Sequence, residues 1–212
     1  MPIFFQQDID ENTKLAIWKI EEEESFFLTK VSLQREITHP HKRLQHLAGR
    51  YLLKYLFPDF PVELIRIADT RKPFLEDEAY HFSISHCGNY AAVIISKTER
   101  VGVDIEIPTT KVEKIRHKFL HEEELATVNS KLFNSHQSSI ICHLTLLWSC
   151  KEAVFKWWSY GKVDFSEDIK LQPFELQPSG VVNAQFTGEE KIDLRLHYKL
   201  FESLCLAWVK TT

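Results

Sequence analysis

Two short stretches of the chain carry acidic and basic side chains at spacings that suit phosphate chemistry. Residues 101–106 (VGVDIE) alternate apolar and polar positions, which predicts a strand with Asp104 and Glu106 on one face. Residues 148–156 (WSCKEAVFK) have helical spacing, with Glu152 and Lys156 one turn apart on one face. If the strand and the helix meet, three carboxylates and a lysine can converge on a divalent cation and a phosphate ester.

Magnesium is the cation that this set of side chains favours. It prefers oxygen ligands and binds through a few carboxylates plus substrate phosphates. Asp104, Glu106 and Glu152 are therefore the predicted metal ligands. The alternative for the two strand acids is a pair of surface carboxylates on an edge strand. The alternative for Lys156 is an exposed partner of Glu152, which would stabilise the helix by only a few tenths of a kcal/mol.

These stretches also resemble a known family. GVDIE followed by WSxKEAxxK is similar to the signature of the 4′-phosphopantetheinyl transferases, specifically the longer, surfactin-synthetase-activating type. Residues 71–75 (RKPFL) and 82–87 (FSISHC) resemble two further elements of that family in the right order. Cys87 departs from the pattern, since the family has a serine there.

The resemblance implies a reaction and roles for residues. The reaction moves the 4′-phosphopantetheine arm of coenzyme A onto a serine of an apo acyl or peptidyl carrier protein and releases 3′,5′-ADP, as a holo-[acyl-carrier-protein] synthase does. The metal acids match Asp104, Glu106 and Glu152, and Lys156 is placed to contact the phosphates and stabilise the leaving group. Two candidates remain for the general base: Glu152, directly or through a water on the metal, and Glu124 in residues 119–125 (FLHEEEL).

The coenzyme A site implied by the resemblance draws on other parts of the chain. Ser85 and His86 end an alternating strand, where a hydroxyl and an imidazole can bind phosphate. Lys72 precedes Pro73 in a rigid extended stretch, and Arg50 adds positive charge from a helix. Lys156 completes the predicted set.

Other function classes remain open or are disfavoured. The main alternative is a non-catalytic member of the same fold that binds coenzyme A or a carrier protein without transfer. An unrelated phosphotransfer enzyme is disfavoured because the sequence has no glycine-rich phosphate loop and no kinase signature.

Composition limits the compartment and the partners. The chain has 212 residues and a formal net charge of −4, which gives no sign of a nucleic-acid binder. No leader pattern opens the sequence and no apolar run is long enough for a membrane span. Four scattered cysteines without a CxxC spacing indicate reduced thiols in a cytoplasmic protein. A monomer is expected, because 212 residues are enough for both lobes that the resemblance implies.

Periodicity predicts a mixed α+β fold. The predicted helices are 44–55, 112–129 and 140–160, with a polar loop region at 129–139. The predicted strands are 4–7, 14–20 (which could also be helical), 64–68, 81–86, 91–95, 101–107, 169–171, 181–186, 194–199 and 204–209, with later turns at Gly180 and Gly188. The resemblance implies two similar α+β lobes, 1–107 and 108–212, related by a pseudo-two-fold with the active site in the cleft between them.

Overall fold

The structure, a computed structural model, describes residues 3–33, 36–132, 137–188 and 190–211. Helices and antiparallel sheets are both present, which confirms the predicted α+β class. The chain divides into two compact units, one up to Val103 and the other Asp104–Thr211, whereas the sequence places the lobe boundary after residue 107. No helix among the described residues combines the length and apolar character needed to cross a bilayer.

The first unit is built on a four-stranded sheet. Its elements are β1 (Ile3–Asp8), β2 (Thr13–Lys19), α1 (Glu24–Leu28), α2 (Pro40–Leu56), β3 (Arg66–Ile67), β4 (Pro73–Phe74), β5 (His81–Cys87) and β6 (Tyr90–Ser96). The antiparallel sheet has the order β1-β2-β6-β5, and β3 and β4 form a separate two-stranded sheet. The segment that could have been helical is the strand β2, because it pairs on both sides with β1 and β6.

Helix α2 covers this sheet and builds the core of the first unit. It starts at Pro40, where proline's fixed φ suits a first turn, and ends at Leu56, two residues before Pro58. Leu47, Leu52 and Leu53 on its inner face are fully buried. At Gly49 the backbone lies so close to β5 that a Cβ atom would sit 2.9 Å from Ile84 Cγ2. The glycine therefore allows the close approach of helix and strand.

The second unit packs helices on a five-stranded sheet. Strand β7 (Arg100–Glu106) leads into it, and the elements that follow are α3 (Lys111–Ile115), α4 (Glu122–Leu132), α5 (Gln137–Trp158), β8 (Ile169–Leu171), β9 (Ser179–Thr187), β10 (Lys191–Leu200) and β11 (Cys205–Thr211). The strand order is β7-β11-β10-β9-β8. Helix α5 packs mainly on β11, and its buried side chains Leu144, Leu146 and Val154 belong to the core of this unit.

The single helix predicted over 112–129 is wrong. The chain forms α3, a 3₁₀ turn at Arg116–Lys118 and then α4. The interruption buries Phe119 and Leu120 at 1% and 2% exposure, so packing of these two side chains replaces continuous helical hydrogen bonding. The Glu124 carboxylate reaches back to the His121 N–H at 2.7 Å and caps the start of α4. Tertiary contacts thus override a favourable local pattern.

The ends of α5 also differ from their predicted positions. The helix begins at Gln137 and stops at Trp158, where Ser159 adopts a left-handed φ of 76° that ends helical geometry. The predicted polar loop is replaced in part by helix, since α4 continues to Leu132. Residues 133–136 of that predicted loop lie outside the described residues.

Two predictions about strands and turns need correction. Gly180 is not a turn but lies within β9, where a Cβ atom would approach the Tyr198 ring and hydroxyl to 3.0 Å. The glycine is explained by close packing against a large aromatic side chain. The predicted strand 64–68 is reduced to Arg66–Ile67, because residues Val62–Leu64 form a 3₁₀ turn.

Candidate active site

Strand β7 positions the two acids of the VGVDIE stretch. Asp104 and Glu106 lie two residues apart on one face of the strand, as the alternation predicts. Both faces are covered, however: Asp104 is only 3% exposed, and Glu106 is half-buried. An enclosed carboxylate of this kind needs hydrogen bonds or a cation to balance its charge.

Lys156 on α5 supplies a cation to Asp104. Its Nζ donates to Asp104 Oδ1 at 2.6 Å, although the two residues are 52 positions apart in the chain. Lys156 is thus not simply an exposed partner of Glu152 on the helix surface, which was the alternative interpretation of its spacing. The contact brings the strand motif and the helix motif to one place within the second unit.

Glu152, one turn before Lys156 on α5, belongs to the same cluster. The pKa of the Glu152 carboxyl is raised to about 7, mainly by burial; the Lys156 ammonium opposes this rise, and the Asp104 and Glu106 carboxylates contribute to it. The charges of all four residues therefore act on one another. A carboxyl that titrates near neutrality in a cluster of charged groups is a reasonable candidate for acid–base chemistry.

The predicted metal ligands agree with magnesium in chemistry but do not form a preorganised site. All three are carboxylates, the oxygen donors that magnesium prefers. Among the described residues, however, no three His, Cys, Asp or Glu side chains are arranged so that they could hold a metal ion. One physical reason is that the Lys156 ammonium already contacts Asp104 Oδ1.

Glu124, the second candidate base, lies in a different set of contacts. Its Oε2 accepts hydrogen bonds from Lys151 Nζ at 2.6 Å and the His121 N–H at 2.7 Å. Its Oε1 accepts from the Leu171 N–H at 2.7 Å. The side chain is 9% exposed. Three donors already converge on this carboxylate, which favours a role in holding α4, α5 and β8 together.

Lys151 is the residue that the sequence reasoning missed. It is fully buried at 0% exposure, and its Nζ donates to Glu124 Oε2, to the Phe165 carbonyl at 2.9 Å and to the Ile169 carbonyl at 2.7 Å. A signal was present in the sequence. Lys151 falls three residues after Trp148 and four before Phe155, within the apolar stripe of α5, and a charge in such a stripe predicts a buried, paired group.

The four remaining coenzyme A candidates all lie in the first unit. Arg50 is 6% exposed, and its Nη1 lies 3.0 Å from His46 Nδ1. Ser85 is buried and His86 is exposed on β5, where consecutive residues point to opposite faces. Strand β5 is an edge strand of the four-stranded sheet. Ser85 and His86 therefore lie at the same sheet edge, although their side chains point to opposite faces.

Lys72, between β3 and β4, has unusual electrostatics for a lysine. The pKa of its ammonium is lowered to about 8, mainly by burial and also by the positive charge of the Arg100 guanidinium. Two cations held close together in a partly enclosed place form a local basic site, which the net charge of the chain does not reveal.

The part of the chain that carries the clustered charges of β7 and α5 matches a known protein family. Residues 100–209, slightly more than half of the chain, match the model of the 4′-phosphopantetheinyl transferase superfamily. The chain belongs to this superfamily. The match covers β7, with Asp104 and Glu106, and α5, with Glu152 and Lys156.

Individual curated proteins are also similar to the chain. A putative 4′-phosphopantetheinyl transferase of Haemophilus influenzae is 31% identical over 133 residues, 60% of this chain and 54% of the relative. Enterobactin synthase component D of Salmonella typhi is 30% identical over 152 residues, 68% and 56% respectively. The 4′-phosphopantetheinyl transferase gsp of Aneurinibacillus migulanus is 36% identical over 112 residues, 52% and 44%. The chain thus spans about half the length of these relatives.

The superfamily match does not reach most of the coenzyme A candidates. Arg50, Lys72, Ser85 and His86 precede residue 100, where the matched region begins. Their role in this phosphopantetheinyl transferase superfamily member therefore depends on the resemblance of the RKPFL and FSISHC stretches and on the local geometry described above.

Proposed function

We propose that the protein transfers the 4′-phosphopantetheine arm of coenzyme A to a serine hydroxyl of an apo acyl or peptidyl carrier protein and releases 3′,5′-ADP. The observation that carries this proposal is the contact of Lys156 with Asp104 at 2.6 Å in a superfamily member. It joins the two signature motifs in one cluster of charges. A protein that only binds coenzyme A has no evident need for that cluster.

The metal in this proposal is magnesium, held by Asp104, Glu106 and Glu152. When bound, it neutralises the charge of the diphosphate and orients it for attack. The oxygen chemistry of the three side chains supports this assignment.

The residues of the chain then perform the transfer by positioning and proton movement. The serine oxygen forms a bond to the β-phosphorus, and the bond from that phosphorus to the bridging oxygen breaks. Glu152 accepts the serine proton, as a carboxylate positioned beside the attacking hydroxyl can. The Lys156 ammonium donates hydrogen bonds to the departing phosphate and stabilises its charge.

The remaining coenzyme A contacts and the partner surface are also part of the proposal. Lys72, Arg50, Ser85 and His86 are further proposed contacts of the coenzyme A phosphates. Local lysine and arginine side chains contact the acidic surface around the carrier serine, since complementary charges guide association even when net charges do not. The scattered positions of the four cysteines, without a CxxC spacing, support a reducing, cytoplasmic compartment.

The test is a transfer assay with a mass readout. The protein is incubated with coenzyme A, Mg²⁺ and an apo carrier protein, and the carrier is analysed by intact mass spectrometry. A gain of one phosphopantetheine arm on the carrier serine supports the proposal. Tight coenzyme A binding with no gain across several carriers would favour the non-catalytic alternative. A Glu152→Gln variant should lose transfer, and normal turnover by this variant would remove Glu152 from the mechanism.

A further inference from the structure

The buried pair of Lys151 and Glu124 is hydrogen-bonded to several elements of the second unit. All three ammonium protons of Lys151 are used: one by Glu124 Oε2, one by the Phe165 carbonyl and one by the Ile169 carbonyl. The Glu124 carboxylate in turn receives the Leu171 N–H on its other oxygen. The pair therefore ties α5 to α4, to β8 and to the segment before β8.

The location of this network matters because Lys151 directly precedes Glu152. A lysine fixed by three directional hydrogen bonds restrains how far α5 can rotate or slide at that turn. Glu152 and, one turn later, Lys156 project from the same stretch of helix. The Lys156 contact with Asp104 at 2.6 Å depends on the same rotational setting.

The energetics of buried ion pairs point to orientation more than to stability. Desolvation of the two charges offsets much of their attraction, so apolar residues of similar volume often stabilise a fold equally well. Apolar side chains would pack at position 151 in several arrangements, whereas a donor with three assigned acceptors permits one. A role in orienting α5 explains why the charged Lys151 side chain lies within the apolar stripe of that helix.

We propose that Lys151 and Glu124 are a positioning pair, which sets the rotation of α5 and so holds Glu152 and Lys156 in their reactive arrangement. This inference rests on the transferase function proposed above. It replaces a role of Glu124 as general base, because the carboxylate already accepts three hydrogen bonds. It also explains how the buried network can affect the reaction although it does not touch the substrate. The network positions Glu152 and Lys156, which do.

The experiment compares Lys151→Gln, Glu124→Gln and the double variant in the full-length protein. Each single change leaves one charge buried without its partner and shifts α5, so kcat should fall by at least about tenfold while KM for coenzyme A changes little. The double variant replaces the ion pair by two neutral amides that can still hydrogen-bond. Its kcat should exceed that of Lys151→Gln by about tenfold, a coupling typical of residues in contact.

A matched control and a second measurement keep the result specific. Glu123→Gln makes the same chemical change on an exposed neighbouring side chain and should leave kcat unchanged. Hydrogen exchange of the amides around Glu152 and Lys156 should speed up in both single variants and return towards wild type in the double variant. This readout does not require turnover, so it tests the positioning role even in a protein that proves to lack transferase activity.

Three results would overturn the inference. A double variant as inactive as Glu124→Gln would mean that the Glu124 carboxylate is needed for itself, as a base is. A folded Lys151→Gln protein with wild-type kcat would mean that the pair has no effect on the reaction. Unchanged hydrogen exchange around Glu152 in both single variants would mean that the pair does not set the helix. If the wild-type protein itself shows no transfer, the proposed function fails instead.

Discussion

At the scale of single residues, the chemistry depends on which charges are enclosed together. Lys156 and Asp104 form a close pair, and Glu152 lies within reach of both of their charges. In water such pairs contribute little, but an enclosed carboxylate depends strongly on its cation. Residue-level predictions therefore concern the removal or titration of one charged group at a time.

Replacing Lys156 by methionine should nearly abolish transfer. The change removes the ammonium to which the proposed mechanism assigns stabilisation of the departing phosphate, and it leaves the buried Asp104 carboxylate without this cation. Loss of one such electrostatic donor typically lowers kcat by about 10²–10³-fold. Steady-state kinetics with coenzyme A and a carrier protein measure it, and Lys191→Met on the exposed start of β10 is the control. A Lys156→Met protein that keeps more than a tenth of wild-type kcat would contradict the prediction.

The pH dependence of kcat/KM for coenzyme A should show the titration of the Lys72 ammonium. Because the pKa of its ammonium is lowered to about 8, the free protein loses this positive charge as the pH rises through that value. If Lys72 binds coenzyme A phosphates as proposed, only its charged form does so, and kcat/KM for coenzyme A should fall by about tenfold per pH unit above the break. The decrease in kcat/KM occurs on the alkaline side of the break, because the Lys72 amine is protonated and positively charged below its pKa.

Lys72→Arg supplies the matched variant for that measurement. A guanidinium stays charged throughout the accessible range, so the alkaline break near pH 8 should disappear. An unchanged break in the arginine variant would assign the titration to another group. It would also remove Lys72 from the predicted coenzyme A site.

At the scale of elements, close backbone approach and burial decide where helices lie. Helix α5 keeps its position through Lys151 and through apolar packing on β11, and α2 keeps its position through the contact of Gly49 with Ile84. Neither arrangement follows from helix propensity, which favours alanine over glycine at an interior position such as residue 49. Packing geometry overrides propensity in both helices.

Gly49→Ala should therefore destabilise the protein despite the better helix propensity of alanine. The added Cβ would lie 2.9 Å from Ile84 Cγ2, so helix and strand must separate or the isoleucine must move. Overpacking of this kind typically costs about 1–3 kcal/mol, measurable by urea denaturation. In an Ile84→Ala background the same glycine change should cost less, because Cγ2 is absent. Equal or greater stability of Gly49→Ala alone would show that the contact relaxes freely.

At the scale of the whole molecule, the described chain contains two compact units with separate cores. We predict a monomer, because one chain contributes both α+β units that the longer type of the family requires. Light scattering after gel filtration should give a mass near 24.9 kDa. An obligate trimer, the state of the short class of the family, would contradict the prediction.

Sequence by itself determined the local features of this protein, because the spacing of apolar residues reports the faces of a strand or helix. It identified the acids of β7 and the pair Glu152 and Lys156 on α5, and it predicted the α+β class. Only the tertiary structure decided which distant charges meet. The contact of Lys156 with Asp104, the engagement of Glu124 by Lys151 and the break before α4 all depend on packing between segments far apart in the chain. Local periodicity has no information about such partners, since burial and charge pairing are settled by contacts made after the elements form.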